Sequence, residues 1–226
     1  MAKVVNTGFL SETINQIKVN SSIVCYTDNF KSKESRNIAY IVMHYTGNQK
    51  DTAKANATYF SGTGCNSSAH FFVDDLEIYQ SVRLKDIAWH CGAKKYKHNV
   101  CRNANSIGIE MCCTKGNYTV SDITKRNAAY LCAFLCKMLG ISAESIDTYV
   151  LRHYDITGKS CPAQMVSNET EWVAFKHMVK ELLKDSSSHV EPIDVNYKVK
   201  IITEELNVRT APNVSSNVAT IIKKGE

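Results

Sequence analysis

The stretch that most limits how this chain can fold is Ile38 to Thr46, Ile-Ala-Tyr-Ile-Val-Met-His-Tyr-Thr, which carries no Lys, Arg, Asp or Glu and stops at Gly47-Asn48. It is rich in β-branched and aromatic residues, which suit a pleated strand, and it lacks the polar alternation of a half-exposed one. It therefore reads as a strand buried on both faces.

Other elements fall on either side of it. Residues 1–36 are mixed and polar, with Ile14, Ile17, Val19, Ile23 and Val24 as scattered anchors, and read as a surface arm with some short strand. Asp51 suits a helix N-cap, Ala53 to Phe60 a helix and Gly62 its stop. Ala69 to Asp74 and Ile78 to Val82 read as strands around the turn Asp74-Asp75-Leu76-Glu77. Trp89 to Ser106 has little periodicity and reads as a loop; between Asp86 and Glu110 it holds Lys94, Lys95, Lys97 and Arg102 and no acid. Ser106 to Cys113 is a strand whose alternation puts Ile107, Ile109 and Met111 on one face and Gly108, Glu110 and Cys112 on the other. Ser121 can cap a helix reaching about Leu139, with Leu131, Leu135 and Met138 on one stripe and Gly140 as its stop. Tyr149 to His153 is a strand, and Trp172, Phe175, Val179 and Leu182 mark an amphipathic helix over Glu169 to Leu183. Asp185 to Asn196 reads as a linker, and strand-like segments follow at Lys198 to Thr203, from Leu206 and at Val218 to Ile222.

The 226 residues suffice for one or two domains, and 44% hydrophobic with 22% charged residues excludes a collagen or a disordered chain. Nine cysteines, an odd number with no C-x-x-C pair, exclude a zinc ribbon and a thioredoxin-type motif and point to mostly buried, reduced thiols. The N-terminus lacks a secretory apolar segment. The longest apolar run, Ala128 to Cys136, falls short of the roughly 20 residues of a membrane span, so no membrane insertion is expected. The expectation is a protein made in the cytoplasm. The net charge of +5 concentrates no nucleic-acid signal; the basic loop could rim a cleft and attract anionic polymer.

Chemistry concentrates in three residues. His44 and His153 each sit near the end of a predicted strand, and Cys161 follows in Gly-Lys-Ser-Cys-Pro. Two imidazoles and a thiolate form a catalytic zinc set that leaves the fourth tetrahedral position open. The same residues would also serve as satisfied strand-end histidines and a small buried thiol. Glu110 lies in an otherwise apolar strand, where a carboxylate is costly without a partner; it could shuttle a proton. Lys159, two residues before Cys161, could stabilise an oxyanion.

Five segments in this order, Tyr-Ile-Val-Met-His-Tyr-Thr-Gly-Asn, Ser-Ala-His-Phe-Phe-Val-Asp, Ile-Ala-Trp-His-Cys-Gly, Asn-Ser-Ile-Gly-Ile-Glu-Met-Cys and Arg-His-Tyr-Asp-Ile-Thr-Gly-Lys-Ser-Cys-Pro, closely resemble the type-2 N-acetylmuramoyl-L-alanine amidases, relatives of peptidoglycan-recognition proteins and phage lysins. The resemblance spans about residues 20–184. It implies an α/β fold with a central mixed β-sheet flanked by helices, and zinc-dependent cleavage of the amide between N-acetylmuramic acid and L-alanine in bacterial peptidoglycan. It implies His44, His153 and Cys161 as metal ligands, Lys159 as the family's lysine before the cysteine, and Trp89 and His90 as residues of the substrate groove. Many phage members carry a tyrosine where this chain has Ala69; another branch uses a glutamate that Glu110 matches, so Glu110 is assigned the proton shuttle. His70 reads as structural, His98 and Cys101 as a weak second metal pair, and His177 as a solvated helix residue. Residues 197–226 resemble the first half of a bacterial SH3-like wall-binding domain, whose open edges would invite strand exchange. The implied role is a phage or prophage endolysin reaching the wall after release, with a bacterial autolysin, exported by a non-classical route, or a non-catalytic peptidoglycan-binding module as alternatives.

Overall fold

A computed structural model describes residues 2–184, 205–209 and 218–223. The chain divides into two compact units, residues 1–188 and 189–226. In the first, the strands are β1 (Lys3–Val5), β2 (Thr13–Ile14), β3 (Ile17–Asn20), β4 (Phe30–Lys31), β5 (Arg36–Ile38), β6 (Tyr40–Tyr45), β7 (Phe71–Val73), β8 (Ile78–Gln80), β9 (Ile87–Ala88), β10 (Ser106–Met111) and β11 (Val150–Arg152). The α-helices are α1 (Ala53–Phe60), α2 (Asp122–Leu139), α3 (Ile146–Tyr149), α4 (His153–Thr157), α5 (Ala163–Ser167) and α6 (Glu169–Lys184). In the second unit, β12 (Glu205–Arg209) pairs antiparallel with β13 (Val218–Lys223). The expected linker 185–196 and the strand expected at Lys198 to Thr203 lie outside the described residues.

The expected mixed sheet flanked by helices is present. Seven strands run in the order β11-β6-β10-β7-β8-β3-β2. β11, β6, β10 and β7 are mutually parallel, β8 runs antiparallel to β7, and β3 lies parallel to β8. The apolar run that opened the sequence analysis supplies β6, the second strand of this order. It is shorter than the run, because Ile38 belongs to β5, which pairs with β1.

The pleat divides the sheet into a packing face and a working face. Ile41 and Met43 of β6 and Ile107, Ile109 and Met111 of β10 enter one core with Leu131 and Leu135 of α2 and Phe175 and Val179 of α6. All of these are at most 2% exposed, and burying each large side chain contributes about 1.5–3 kcal/mol. Val42 and Tyr40 face the other way, into a smaller cluster with Cys91, Cys101, Leu151 and Ile156. α2 begins and ends where expected: Ser121 Oγ accepts the Thr124 N–H at 3.0 Å, and Gly140 takes the left-handed conformation at φ +72°. A turn carboxylate holds this helix against the sheet, since Asp75 Oδ1 accepts the hydroxyls of Ser121, Thr114 and Thr124.

Two local expectations are corrected. The N-terminal segment is not a surface arm: Val5, Leu10, Ile14 and Val19 enter the main core, and β2 and β3 form the far edge of the sheet. Of the scattered anchors, Ile14, Ile17 and Val19 pack on this core, whereas Val24 is exposed. The cap of α1 is Thr52, whose hydroxyl accepts the Ala55 N–H at 3.2 Å, rather than Asp51. Asp51 instead accepts the Cys113 N–H at 2.6 Å and the side-chain amides of Asn56 (2.6 Å) and Asn48 (2.8 Å).

Arg152 closes the strand that delivers His153. Its guanidinium, 8% exposed, donates to Asp155 Oδ1 (2.9 Å), Glu169 Oε2 (2.6 Å) and the Met165 carbonyl (2.7 Å). These bonds tie β11, α4, α5 and α6 together at one point. Arg152→Met leaves the buried Met165 carbonyl without its donor, while the freed carboxylates of Asp155 and Glu169 reach solvent, and is expected to lower stability by about 1–2 kcal/mol. Urea unfolding monitored by circular dichroism measures this; an unchanged midpoint would show that the cluster is solvated.

Candidate metal centre

β10 lies parallel to β6 in a register that sets Glu110 directly beside His44. Paired residues of adjacent strands project from the same face, so both side chains leave the sheet opposite Ile107, Ile109 and Met111. His44 Nδ1 and Glu110 Oε1 are 3.9 Å apart. On the other side of β6, β11 ends at Arg152, one residue earlier than expected, and His153 is the first residue of α4. α4 stops at Gly158, φ +82°, where an L side chain would be strained. The chain then doubles back through Lys159 to Cys161, whose carbonyl accepts the Tyr154 N–H at 3.0 Å.

Three elements thus bring His44, His153 and Cys161 together. His44 Nδ1 is 3.1 Å from His153 Nδ1 and 3.8 Å from Cys161 Sγ, and the three donor atoms lie within 4.8 Å of one another. The three residues are 1%, 7% and 3% exposed. Ligand atoms sharing one tetrahedral zinc stand about 3.3–3.6 Å apart, given the usual bond lengths.

The electrostatics call for a cation at this point. Burial holds His44 well below the usual imidazole value, with His90, His153 and Lys159 adding to the shift. Burial, then Lys159, takes His153 down to about 4. Both rings are therefore neutral at pH 7, and two Nδ1 atoms in contact cannot both carry a proton. Burial and the nearby Glu110 push the Cys161 thiol up to about 12, so a thiolate lacks a compensating charge. Burial likewise raises Glu110 to about 8, against the opposing pull of Lys159 and with Asp51 adding to the rise. Its Oε2 atom is buried and has no hydrogen-bond partner, although the side chain keeps 20% of its surface accessible. Two neutral imidazoles, one sulfur and an unsatisfied carboxylate fit a divalent metal of borderline softness.

A groove opens on both sides of the cluster. One lobe, 600 Å³, is lined by Trp89, His90, His153 and Lys159 among others; the second, 440 Å³, is lined by Glu110, Asp51, Asn48 and Tyr59, and Ser67 borders both. The residues assigned to the site from the sequence, His44, His153, Cys161, Glu110, Lys159, Trp89 and His90, thus lie at one place on the working face. His90 is more than a groove residue: it is 8% exposed and its Nδ1 sits 3.0 Å from His44 Nε2. The other histidines lie outside the cluster of donor atoms. His70 is fully buried and accepts the Gly108 N–H at 3.0 Å. His98 caps its own turn by accepting the N–H groups of Val100 (3.1 Å) and Cys101 (2.9 Å). His177 stands on the exposed face of α6 opposite Glu181. Sequence reasoning missed the second lobe, whose polar residues are spread over Thr46 to Ser67 without a motif. It also passed over Ser106 and Gly108, which contact the His90 ring; the one available signal was a glycine between two isoleucines of a strand.

Comparison with known proteins agrees with this geometry. The profile of the N-acetylmuramoyl-L-alanine amidase family (Amidase_2) matches residues 34–164. The chain is 34% identical over 194 residues to the N-acetylmuramoyl-L-alanine amidase CwlL of Bacillus licheniformis, covering 82% of this chain and 48% of that one. It is 35% identical over 158 residues to BlyA of Bacillus subtilis, covering 65% and 42%. The chain spans about half the length of the curated relatives it matches. Among solved structures, the catalytic domain of XlyA superposes with a TM-score of 0.59 at 29% identity, covering 72% of this chain and 99% of that one. A mutant endolysin from Bacillus subtilis gives the same values. With the profile covering both the β6–β10 core and the three convergent ligands, the chain belongs to the N-acetylmuramoyl-L-alanine amidase family.

Proposed function

We propose that this chain hydrolyses the amide between the lactyl group of N-acetylmuramic acid and L-alanine in bacterial peptidoglycan, using a zinc ion held by His44, His153 and Cys161, and that it does so as a phage or prophage endolysin reaching the wall on lysis. The observation that carries this reading is the meeting of Glu110 with three converging metal-donor atoms at the junction of two groove lobes. Two lobes meeting at such a site can take the two sides of an amide that joins a sugar to a peptide. The relatives' names and the endolysin neighbour support the substrate and the setting. Residues 197–226 are read as part of an SH3-like wall-binding unit.

A bound zinc ion supplies Lewis acidity to the scissile carbonyl and the attacking water. Glu110 would take the proton from the attacking water and return it to the leaving nitrogen. A carboxyl raised toward neutrality can do both, since it neither holds nor releases its proton too strongly. Lys159, in the lobe next to His153, faces the negative charge that grows on the attacked carbonyl oxygen and favours ionised Glu110. Trp89 and His90 shape the wall of the same lobe.

Purified peptidoglycan incubated with the zinc-loaded full chain is expected to release new L-alanine amino termini, and a chelator to abolish the release. New reducing sugar ends, or activity indifferent to the chelator, would overturn the assignment. Wall binding without cleavage would favour the non-catalytic alternative.

Glu110→Gln is expected to lower turnover about 10²–10⁴-fold while leaving bound zinc, measured by atomic absorption, near one equivalent. Near-normal turnover with metal retained would remove Glu110 from the proton path. In the metal-free protein the same residue sets a pH dependence. Its folded value, about 8, lies above the ordinary 4.5, so folding takes up a proton in that window and stability falls as pH rises through it. Metal-free Glu110→Gln is expected to gain stability relative to the native chain from about pH 5 to about pH 8, read by urea unfolding. Parallel curves would show a fully solvated carboxylate.

A further inference from the structure

The Nε2 atom of His44, the side of the ring turned away from Glu110 and Cys161, leads into a chain of hydrogen bonds that ends on backbone. His44 Nε2 lies 3.0 Å from His90 Nδ1, and His90 Nε2 lies 3.2 Å from Ser106 Oγ. Ser106 Oγ lies 2.7 Å from the carbonyl of Arg102. The three side chains are inside the protein: Ser106 is 0%, His44 1% and His90 8% exposed.

The end of the chain sets its direction. A carbonyl can only accept, so the short contact takes the Ser106 hydroxyl proton, and Ser106 then offers a lone pair to His90. His90 Nε2 must carry the hydrogen, and with one hydrogen on the ring Nδ1 is the acceptor. His44 Nε2 must then be the donor, and His44 Nδ1 is left as a bare lone pair, turned toward His153 Nδ1 and Cys161 Sγ. The opposite direction would put a proton on His44 Nδ1, among the donor atoms, where it would block a cation.

The position of the His90 ring is itself built in. Asn103 Oδ1 accepts both the His90 and the Cys91 backbone N–H groups, at 3.2 and 2.8 Å. The ring lies against the backbone of Gly108: a Cβ there would come 2.6 Å from His90 Cγ and 2.9 Å from Nδ1. Only glycine lets the imidazole sit against β10 in this pose. The other neighbouring ring, His70, meets His90 edge-on at 5.8 Å and bonds the Gly108 N–H.

We propose that His90, directed by the Ser106 hydroxyl and admitted by Gly108, is a positioning residue that holds His44 in the Nε2–H tautomer and so presents its Nδ1 lone pair to the metal. This rests on the reading of His44, His153 and Cys161 as a metal site. It assigns His90 work besides lining the groove, and gives Ser106 and Gly108 a role in metal affinity although neither is a ligand. Outer partners of this kind typically change metal affinity about 10–100-fold.

The test uses the full chain labelled with ¹⁵N-histidine. In the metal-free protein, long-range ¹H–¹⁵N correlation is expected to show both His44 and His90 as Nε2–H tautomers. Ser106→Ala, a mild change, is expected to mix the tautomers of both rings and weaken zinc binding about 10-fold in competition with a chromogenic chelator. His90→Phe and Gly108→Ala are expected to free the His44 tautomer and weaken zinc about 10–100-fold, with circular dichroism confirming the fold. An Nδ1–H tautomer at His44 in the native chain would overturn the proposal. So would unchanged tautomers and unchanged zinc affinity in folded Ser106→Ala and His90→Phe. His44→Ala separates the two layers: if it binds zinc as well as the native chain does, the metal site itself is misassigned, while the tautomers of the metal-free native chain still decide the relay.

Discussion

The parallel register between β6 and β10 is the constraint on which the site depends. Because the pleat alternates, one register choice decides two things together. It sends Ile41, Met43, Ile107, Ile109 and Met111 into the helix-covered core, and it sets His44 next to Glu110 on the opposite face. A slip of β10 by one residue would turn Glu110 under α2, away from His44, and carry Ile107, Ile109 and Met111 to the opposite face. Hydrophobic burial, the largest favourable term in folding, therefore aligns the chemistry as a consequence of packing the core.

The working face carries the cost of that arrangement. Two imidazoles, a thiol and a carboxyl occupy a space from which most water is excluded, and burial pushes every one of them toward its neutral form. Packed side chains do not relieve this, since Glu110 Oε2 finds no partner. A cation relieves all of it at once: lone pairs on two nitrogens and a sulfur become ligands, and the carboxylate gains a positive neighbour. Rigid supports surround the site, with Arg152 clamping the strand that leads to His153 and Gly158 turning the chain back toward Cys161.

Much of this was legible in the sequence because strong periodicity carries packing information over short distances. The alternation in Ser106 to Cys113 assigned the two faces of β10 correctly, and Ser121 and Gly140 marked the ends of α2 as found. The N-terminal segment was misread because its core contacts are single residues separated by polar ones; what buries Val5 or Leu10 is distant in sequence. Asp51 resembled a cap because it precedes a helix by two residues. The adjacent Thr52 took that role once Asp51 was drawn to the Cys113 backbone, 62 positions away.

The sequence by itself determined the residue types and their order: a buried strand carrying His44, a glutamate on the opposite face from the aliphatic row, and a histidine and a cysteine eight residues apart, in motifs that resemble one amidase family. Tertiary structure alone decided which ring atoms meet. Nothing in the order of residues says that the two histidines bring their Nδ1 atoms together, that His44 Nδ1 faces Cys161, or that His44 Nε2 meets His90. Those facts depend on strand register, on Gly108 leaving room for a ring, and on the turn at Gly158. Each is a spatial contact between segments far apart in the chain, and local propensity carries no record of such contacts.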